Sequence, residues 1–334
     1  MCATRQVLFN CNHLGVTPLS VAIYSLLKHA DPSSPLGISV IHDTGFADLG
    51  GCNTVRDVVR RFPFASVRFV NFDPTYAKYA DVLSSPYNAW TPMVWGWTFC
   101  ADLLPDLTGN LVFIDWDMYV RHDLRELYEL DLEGENLVSA AINESKREHR
   151  PELVAAGWPE TAGYTVTTAL QVINLDAFRR ERVRERMFDW YASHKNVAIC
   201  VEQDALNVVF GDRIKRLSPV FNCPVSWLAR ILKDDFSKPE WRVFKSEDVL
   251  RALADPAIIH FIGGNKPWKY NHRPWRNEYR KAMIELGIIR HDLPGETPVK
   301  KAIGAFFDIY HAILRRRVSA LLRKRVSQAP RTGI

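Results

Sequence analysis

The chain contains the stretch Asn110-Leu111-Val112-Phe113-Ile114-Asp115-Trp116-Asp117, an apolar run that ends in two carboxylates. The branched and aromatic side chains, opened by the turn pair Gly109-Asn110, predict a buried parallel strand. Ligand sites of open α/β sheets lie outside the carboxyl ends of such strands. Asp115 and Asp117 can hold Mg²⁺ or Mn²⁺, which takes one or two protein carboxylates together with the phosphates of its substrate. The segment therefore predicts a metal–diphosphate site, and a solvated acidic turn is the alternative.

Strand-like and helix-like segments alternate along the first half of the chain. We predict strands at residues 6–10, 37–41, 66–70 and 110–114, and helices at 18–29, 54–61 and 93–104. Further on, the pattern predicts strands at residues 137–143, 170–175 and 257–262, and helices at 177–194 and 202–210. This alternation favours an α/β fold with a mainly parallel central sheet flanked by helices.

The composition is that of an ordinary soluble protein, with 47% hydrophobic and 24% charged residues among 334. The six cysteines are scattered and form no Cys-x-x-Cys pair, so neither a zinc site nor a disulfide framework is indicated. No apolar stretch approaches the roughly 18 residues that span a bilayer. The first residues lack a signal-peptide pattern, and we expect a cytoplasmic protein.

A second candidate lies near residue 260, where an apolar strand ends in a histidine and a glycine-rich loop follows. The imidazole of His260 can complete a metal site begun by the two aspartates. Gly263 and Gly264 let the backbone approach a phosphate closely, and Lys266 can supply a point charge to a diphosphate. The alternatives are a core histidine bonded to the backbone and a solvated loop lysine.

Two polar segments accompany the later strands and helices. Glu202-Gln203-Asp204 opens the helix predicted at residues 202–210. Acids in a first helical turn are favoured by the helix dipole and often only cap it, but a glutamine gains nothing from that dipole. The small polar residues at 165–169 enter a predicted strand, where they can line a sugar pocket or serve as simple β-formers.

Together these motifs resemble glycosyltransferase family 8, the retaining enzymes with the GT-A fold. Five features occur in the family's order: Leu103-Leu104-Pro105, Asp115-x-Asp117, Ile173-Asn174-Leu175, residues 203–207, and His260-Phe261-x-Gly263-x-x-Lys266-Pro267-Trp268. The resemblance covers roughly residues 6–280 and is nearest to the bacterial glucosyl- and galactosyltransferases of lipopolysaccharide synthesis. It implies a GT-A-like, Rossmann-like fold, a nucleotide-sugar donor, usually a UDP-sugar, and Mn²⁺ or Mg²⁺ as the cofactor.

The resemblance also implies roles for individual residues. The metal ligands would be Asp115, Asp117 and His260. The donor-binding residues would be Asn10, Asn12, Asp115, Trp116, Asp117, Gly263 and Lys266. The catalytic candidates are Gln203, which would face the anomeric carbon, Glu202 and Asp204. The candidates for binding the substrate sugar are Asn143, Thr167 and Thr168.

At several positions the chain departs from the family pattern. The paired acids after the first strand read Asn12-His13, an arginine before the central aspartates reads Trp97, and an acid at the end of the next strand reads Asn143. The family's Asn-x-Gly reads Thr167-Thr168-Ala169, and its Asp-Gln-Asp reads Glu202-Gln203-Asp204. The metal and diphosphate elements are intact, whereas the elements that recognise the base and the sugar are altered.

The tail at residues 291–334 follows a predicted catalytic domain at residues 1–290 and carries the positive charge of the chain. Residues 299–334 hold nine Lys or Arg and one acid, a net charge of +8, so the rest of the chain sums to −3. Apolar residues recur there every three or four positions, at Ile303, Phe306, Phe307, Tyr310, Leu314, Val318, Leu321 and Leu322. A basic amphipathic helix is typical of segments that bind an anionic membrane surface. The alternative is a terminal helix packed on the core, and nucleic-acid binding is not favoured because the aromatic residues lie on the apolar stripe.

The sequence thus predicts a metal-dependent retaining hexosyltransferase, peripheral on the inner face of the plasma membrane. It would move a hexose from a nucleotide sugar, UDP-glucose or UDP-galactose, to a cell-surface glycan or glycolipid such as lipopolysaccharide core. Two other functions stay open. One is a catalytically altered, membrane-associated nucleotide-sugar-binding protein of the same fold, and the other is a nucleotidyltransferase, which would release pyrophosphate.

Overall fold

The structure is a computed structural model of the whole chain. It describes residues 4–87, 91–132, 137–146, 150–231, 244–264, 266–270 and 274–328. The strands are β1 Arg5–Cys11, β2 Leu36–His42, β3 Ala65–Asn71, β4 Asn110–Ile114, β5 Met118–Val120, β6 Val138–Lys146, β7 Tyr164–Asn174, β8 Ile214–Arg216, β9 Cys223–Pro224 and β10 Ile258–His260.

The α-helices are α1 Val16–His29, α2 Thr44–Asp48, α3 Gly51–Val59, α4 Asp73–Leu83, α5 Cys100–Leu103, α6 Arg125–Tyr128, α7 Pro151–Ala155, α8 Leu175–Arg180, α9 Val183–His194, α10 Val201–Phe210, α11 Ser226–Ile231, α12 Ser246–Ala254, α13 Arg276–Glu285 and α14 Pro298–Gln328. Within the described ranges, none of these helices combines the length and the apolarity that crossing a membrane requires.

The chain divides into two compact units. The first contains Met1–Ile23, Ala30–Trp116 and Leu124–Leu217, and the second contains Tyr24–His29, Asp117–Asp123 and Ser218–Ile334. The boundary predicted at residue 290 between a catalytic domain and a tail stays a prediction.

A seven-stranded sheet organises the first unit, in the order β3-β2-β1-β4-β7-β6-β8. All neighbouring pairs are parallel except those of β7, which runs antiparallel to both β4 and β6. Strand β2 is buried at every position, as expected of a strand covered on both faces. The predicted α/β fold with a mainly parallel sheet is confirmed, and the strands predicted at residues 6–10, 37–41 and 66–70 are each one residue longer at both ends.

Two predicted helices differ from the structure. Residues 93–104 were expected as one α-helix, but Pro92–Phe99 forms a 3₁₀-helix that leads into the short α5. Nearly all of its residues are buried, and Gly96 packs so closely on Asn10 that a Cβ there would lie 3.0 Å from the amide. The helix expected at residues 177–194 is broken between α8 and α9, because Arg182 adopts a left-handed conformation (φ 52°) that an α-helix cannot accommodate.

A three-stranded sheet and four helices form most of the second unit. Strand β10 lies between β5, to which it is antiparallel, and β9, to which it is parallel. Helix α14 packs against α11 and α12, and an ion pair between Arg276 and Asp308 ties it to α13. Burial of Leu314 and Val318 in this packing stabilises the helix by about 2 kcal/mol for each side chain.

The apolar stripe predicted for the tail is not one continuous surface. Its members Leu314 and Val318 are buried, whereas Ile303 and Phe306 are exposed. Exposed apolar side chains instead continue along another face of α14, which we call the outer strip: Val299, Ile303, Phe306, Ile309 and Ile313. One face of α14 is therefore packed within the second unit, as the alternative prediction had it. Another face exposes apolar side chains to solvent.

Candidate active site

The turn that joins β4 to β5 carries the two aspartates. Asp115 directly follows β4, and its amide donates a hydrogen bond of 2.8 Å to the carbonyl of Ala169 on β7. Its carboxylate accepts a hydrogen bond of 2.8 Å from the amide of Trp116. Asp117 directly precedes β5. The aspartates thus lie at the carboxyl end of a central strand, as predicted.

Asp117 is buried beside His260 and Lys266 in the second unit. Strand pairing places His260 opposite Met118, and the amide of Phe261 donates to the carbonyl of Asp117 at 3.1 Å. The imidazole Nε2 of His260 consequently lies 3.3 Å from Asp117 Oδ1. The ammonium of Lys266 donates to Asp117 Oδ2 and, at 2.8 Å, to the carbonyl of Phe261.

The hydrogen bonds around His260 leave a position suited to a cation. Its Nδ1 donates to Asn222 Oδ1 at 2.9 Å, which fixes the ring with Nε2 facing Asp117. Asp117 Oδ1, opposite Nε2, is buried and accepts no hydrogen bond from any described residue. A positive charge, either a proton on Nε2 or a metal ion, would stabilise these two atoms 3.3 Å apart. Asp117 and His260 thus offer two ligand atoms that could hold one metal ion, and Asp115, two residues before Asp117 in the chain, offers a further carboxylate.

The charges near Asp117 keep its carboxylate ionised. Burial alone would raise the pKa of this group, but His260 and then Lys266 outweigh burial and lower the pKa to about 2. An ionised oxygen ligand is the form that a hard divalent cation requires.

The loop after β10 is shaped for close approach of a ligand. Gly263 has a positive φ of 88°, and a Cβ placed on Gly263 or Gly264 would contact no described atom. Open space next to backbone amides can receive a phosphate oxygen. Lys266 follows in the same loop, whereas Asn265 lies outside the described residues.

Helix α10 carries the predicted catalytic residues, and its start is strained. Val201, its first residue, has a φ of 36°, an unusual conformation for a β-branched residue. Asp204 is fully buried, and both of its oxygens are engaged, by the Arg150 guanidinium at 2.9 and 3.3 Å and by the Cys200 amide at 2.9 Å. These contacts hold the helix in place, and the catalytic role of Asp204 stays a prediction.

Glu202 and Gln203 both contact Thr168 on β7. The Thr168 hydroxyl donates to Glu202 Oε1 at 2.9 Å, and the Thr168 amide donates to Gln203 Oε1 at 3.4 Å. Burial raises the pKa of Glu202 to about 8 despite the hydrogen bond from Thr168, and the charges of Asp204 and Asp115 add to the rise. Glu202 is therefore mostly protonated at neutral pH.

Three residues that support the site were not identified from the sequence. Asn222 orients His260, Arg150 holds Asp204, and the Asn207 amide bonds both backbone groups of Val166, at 2.6 and 2.9 Å. Asn207 lies in a recognised motif, but its partner is 41 residues away. No local pattern marks Asn222 or Arg150, because their partners are 38 and 54 residues distant in the chain.

Comparison with known proteins agrees with this arrangement. A family model described as Glycosyl transferase family 8 matches residues 6–272. The chain belongs to glycosyltransferase family 8. The match includes the aspartates after β4, the start of α10 and the loop after β10.

Curated proteins that match the chain are distant relatives. General stress protein A of Bacillus subtilis is 26% identical over 188 residues, which are 54% of this chain and 62% of that protein. The lipopolysaccharide 1,3-galactosyltransferase of Salmonella typhimurium is 22% identical over 187 residues, which are 53% of this chain and 51% of that enzyme. The chain therefore spans less than two thirds of either relative.

Solved structures share the fold. The galactosyltransferase LgtC, in complex with donor and acceptor sugar analogues, superposes with a TM-score of 0.62 at 18% identity, covering 88% of this chain and 97% of that chain. The bifunctional glycosyltransferase WbbM superposes with a TM-score of 0.66 at 18% identity, covering 91% of this chain and 51% of that chain. The predicted GT-A-like fold of this glycosyltransferase is thereby confirmed.

The other predicted site residues of this family 8 chain form hydrogen bonds within the protein wherever the structure describes their side chains. Asn10 ends in a buried amide that donates to the Met93 carbonyl at 3.3 Å, and Asn12 caps a 3₁₀ turn through the Leu14 amide at 3.0 Å. Thr167 accepts from the Ala169 amide at 3.3 Å. Asn143 lies in β6, but its side chain is outside the described residues. Their roles in binding donor or sugar stay predictions.

Proposed function

We propose that this family 8 glycosyltransferase is a metal-dependent retaining hexosyltransferase that uses a nucleotide sugar, UDP-glucose or UDP-galactose. The acceptor is a cell-surface glycan or glycolipid of the lipopolysaccharide-core type. One observation carries the proposal: the buried Asp117 Oδ1, which accepts no hydrogen bond from a described residue, faces His260 Nε2 at 3.3 Å, with Lys266 beside them. This donor set suits a Mn²⁺ or Mg²⁺ ion bound together with a diphosphate.

Asp115, Asp117 and His260 would hold the metal, which, when bound, supplies Lewis-acid stabilisation of the charge on the leaving diphosphate. Lys266 would exchange its contact with Asp117 for one with the diphosphate and neutralise part of the same charge. Gly263 and Gly264 would leave room for the phosphate oxygens.

Retention of configuration needs either a covalent nucleophile or attack on the same face as the departing phosphate. Glu202 is the carboxyl candidate for a nucleophile, but its raised pKa of about 8 keeps it protonated, and a protonated carboxyl is a poor nucleophile. Gln203 is an amide, and the Thr168 amide fixes the orientation of its carbonyl. These features favour same-face attack, with Gln203 positioning the sugar or stabilising its developing positive charge.

We also propose that the enzyme is peripheral on the inner face of the plasma membrane and binds anionic lipid through α14. The helix presents the outer strip to solvent, and its basic residues add electrostatic attraction. A glycolipid acceptor would then be reached from the surface in which it is embedded.

Nucleoside diphosphate release from a panel of UDP-, GDP- and ADP-sugars, with Mn²⁺ and with EDTA, tests the reaction. Asp117→Asn keeps the size of the side chain and removes its charge, so release should fall at least about a hundredfold. Asp212→Asn removes an exposed carboxylate elsewhere and should leave the rate unchanged. Equal release with EDTA or in Asp117→Asn would refute the metal site, and release of pyrophosphate would identify a nucleotidyltransferase instead.

A further inference from the structure

A basic cleft lies along α14, and Lys266 is not among the residues that line it. Its volume is about 460 Å³, and all of its lining belongs to the second unit. The charged and aromatic residues of this lining are Arg121, Trp275, Glu278, Arg315, Arg316 and Arg323. Four cations thus face one carboxylate, and the glycosyl-transfer reaction uses none of them.

The single acidic side chain of the cleft is already paired. Glu278 accepts from Arg121 at 2.9 Å, and Arg121 is further bonded to Asp255 at 2.7 Å. Arg315 lies over the Trp275 ring with 5.8 Å between the guanidinium carbon and the ring centre. Arg315, Arg316 and Arg323 form no ion pair with an acidic side chain in the part of the chain that the structure describes. The cleft therefore carries three guanidinium charges that an anion would stabilise.

Guanidinium groups in this arrangement are better suited to bind a phosphate than to bind a single carboxylate. Each one presents a planar fork of donors that matches two phosphate oxygens. Arg316 and Arg323 are seven residues apart on α14, so they lie on one face of the helix two turns from each other. A phosphate between them could accept from both, and Arg315 belongs to the same lining.

The outer strip borders this cleft and indicates where such a phosphate comes from. Ile313 lies three residues before Arg316 on α14, and Ile309 lies seven residues before Arg316. The two exposed isoleucines and Arg316 therefore share one helix face. Ile309 and Ile313 are 65% and 58% exposed. Apolar side chains and phosphate-binding cations that meet along one helix face match the boundary between the acyl layer and the headgroups of a membrane.

We propose that the arginine cleft binds the phosphate headgroup of an anionic lipid while the outer strip enters the acyl layer of the same membrane. The inference rests on the proposed association of α14 with the membrane, and it adds the site and the chemical class of its ligand. It does not depend on which sugar is transferred.

Co-sedimentation of the full chain with vesicles tests the proposal. We compare phosphatidylcholine vesicles with vesicles that also contain phosphatidic acid, using wild type, Arg316→Gln/Arg323→Gln, and the control Lys281→Gln/Arg290→Gln. The control removes two exposed charges of the same unit that do not line the cleft. Loss of two headgroup contacts should weaken binding to phosphatidic acid vesicles roughly thirtyfold, whereas the control should weaken it less than threefold.

Three outcomes would overturn the inference. If the cleft variant and the control lose vesicle affinity equally, the membrane attracts the protein by its overall charge and the cleft is not a headgroup site. Full displacement from vesicles by inorganic phosphate equimolar with the lipid headgroups would identify a free-phosphate site. Absence of vesicle binding by wild type would remove the membrane association as well, while nucleoside diphosphate release, measured separately, would still report on the transferase.

Discussion

The Thr168 hydroxyl donates a hydrogen bond of 2.9 Å to the Glu202 carboxyl, although the two residues are 34 positions apart in the chain. Glu202 stands where the family pattern has the first aspartate of Asp-Gln-Asp, and Thr168 lies between Thr167 and Ala169, which replace the Asn and Gly of Asn-x-Gly. The altered acid is therefore in direct contact with the residue between the other two departures. Because the Thr168 amide also donates to Gln203 Oε1, Thr168 ties both Glu202 and Gln203 to β7.

The buried state of Glu202 predicts a pH-dependent stability. Its pKa rises from an ordinary 4.5 to about 8 in the folded protein, so between these values the folded state holds a proton that the unfolded state has released. Stability should then fall as the pH rises through that window, by on the order of 1 kcal/mol per pH unit from this residue. Glu202→Gln removes the titrating group and should flatten the dependence.

Urea unfolding at several pH values between 5 and 8 measures this effect. Glu160→Gln, which removes an exposed carboxyl, should keep the slope of the wild type. An unchanged slope in Glu202→Gln would mean that Glu202 is ionised in the folded protein, and the argument against a covalent nucleophile would fail with it.

Asn222 is predicted to control metal affinity through His260. Asn222→Ala removes the acceptor at 2.9 Å from Nδ1, so His260 can rotate or change tautomer. Losing such an orienting partner lowers metal affinity by about ten- to a hundredfold. Calorimetric titration with Mn²⁺ measures the change without requiring turnover. The control Ser218→Ala removes a capping hydroxyl in the same segment and should leave the Mn²⁺ affinity unchanged. If Asn222→Ala binds Mn²⁺ as tightly as the wild type, His260 is not a metal ligand.

Lys266 is predicted to bind the diphosphate rather than only to balance Asp117. Removing an ammonium from a largely buried phosphate site should weaken UDP binding in the presence of Mn²⁺ by about tenfold or more. Lys266→Ala tests this by calorimetry, with Lys269→Ala, an exposed lysine of the same loop, as the control. If both variants bind UDP as the wild type does, Lys266 has a purely structural role.

Local patterns predicted the parts of this protein that depend on local interactions. The apolar runs predicted the parallel strands, and the position of Asp115 after β4 and of His260 at the end of β10 identified two candidate metal ligands. The single α-helix predicted at residues 93–104 was wrong: Pro92–Phe99 forms a 3₁₀-helix, within which Gly96 packs against Asn10, a contact between residues far apart in sequence.

Features that depend on distant partners were not predictable in this way. Asn222 and Arg150 act through side chains that only the folded chain brings near. The two faces of α14 share one helical periodicity, and the packing of α14 against α11 and α12, which the sequence does not show, accompanies the difference between the buried Leu314 and the exposed Ile313.

Arg150 and Asp204 give a final prediction that separates structure from catalysis at α10. Arg150→Met would leave the fully buried Asp204 carboxylate without its cation, which should destabilise the fold by about 3–5 kcal/mol. Arg150→Met/Asp204→Asn removes both charges and should recover most of the lost free energy of unfolding, measured with urea. The carbonyl oxygen of the new asparagine can still accept the hydrogen bond from the Cys200 backbone amide, and a neutral side chain costs less to bury than a carboxylate. If Asp204 has only this structural role, the double variant should also retain nucleoside diphosphate release. A stable double variant without release would instead assign Asp204 to the reaction.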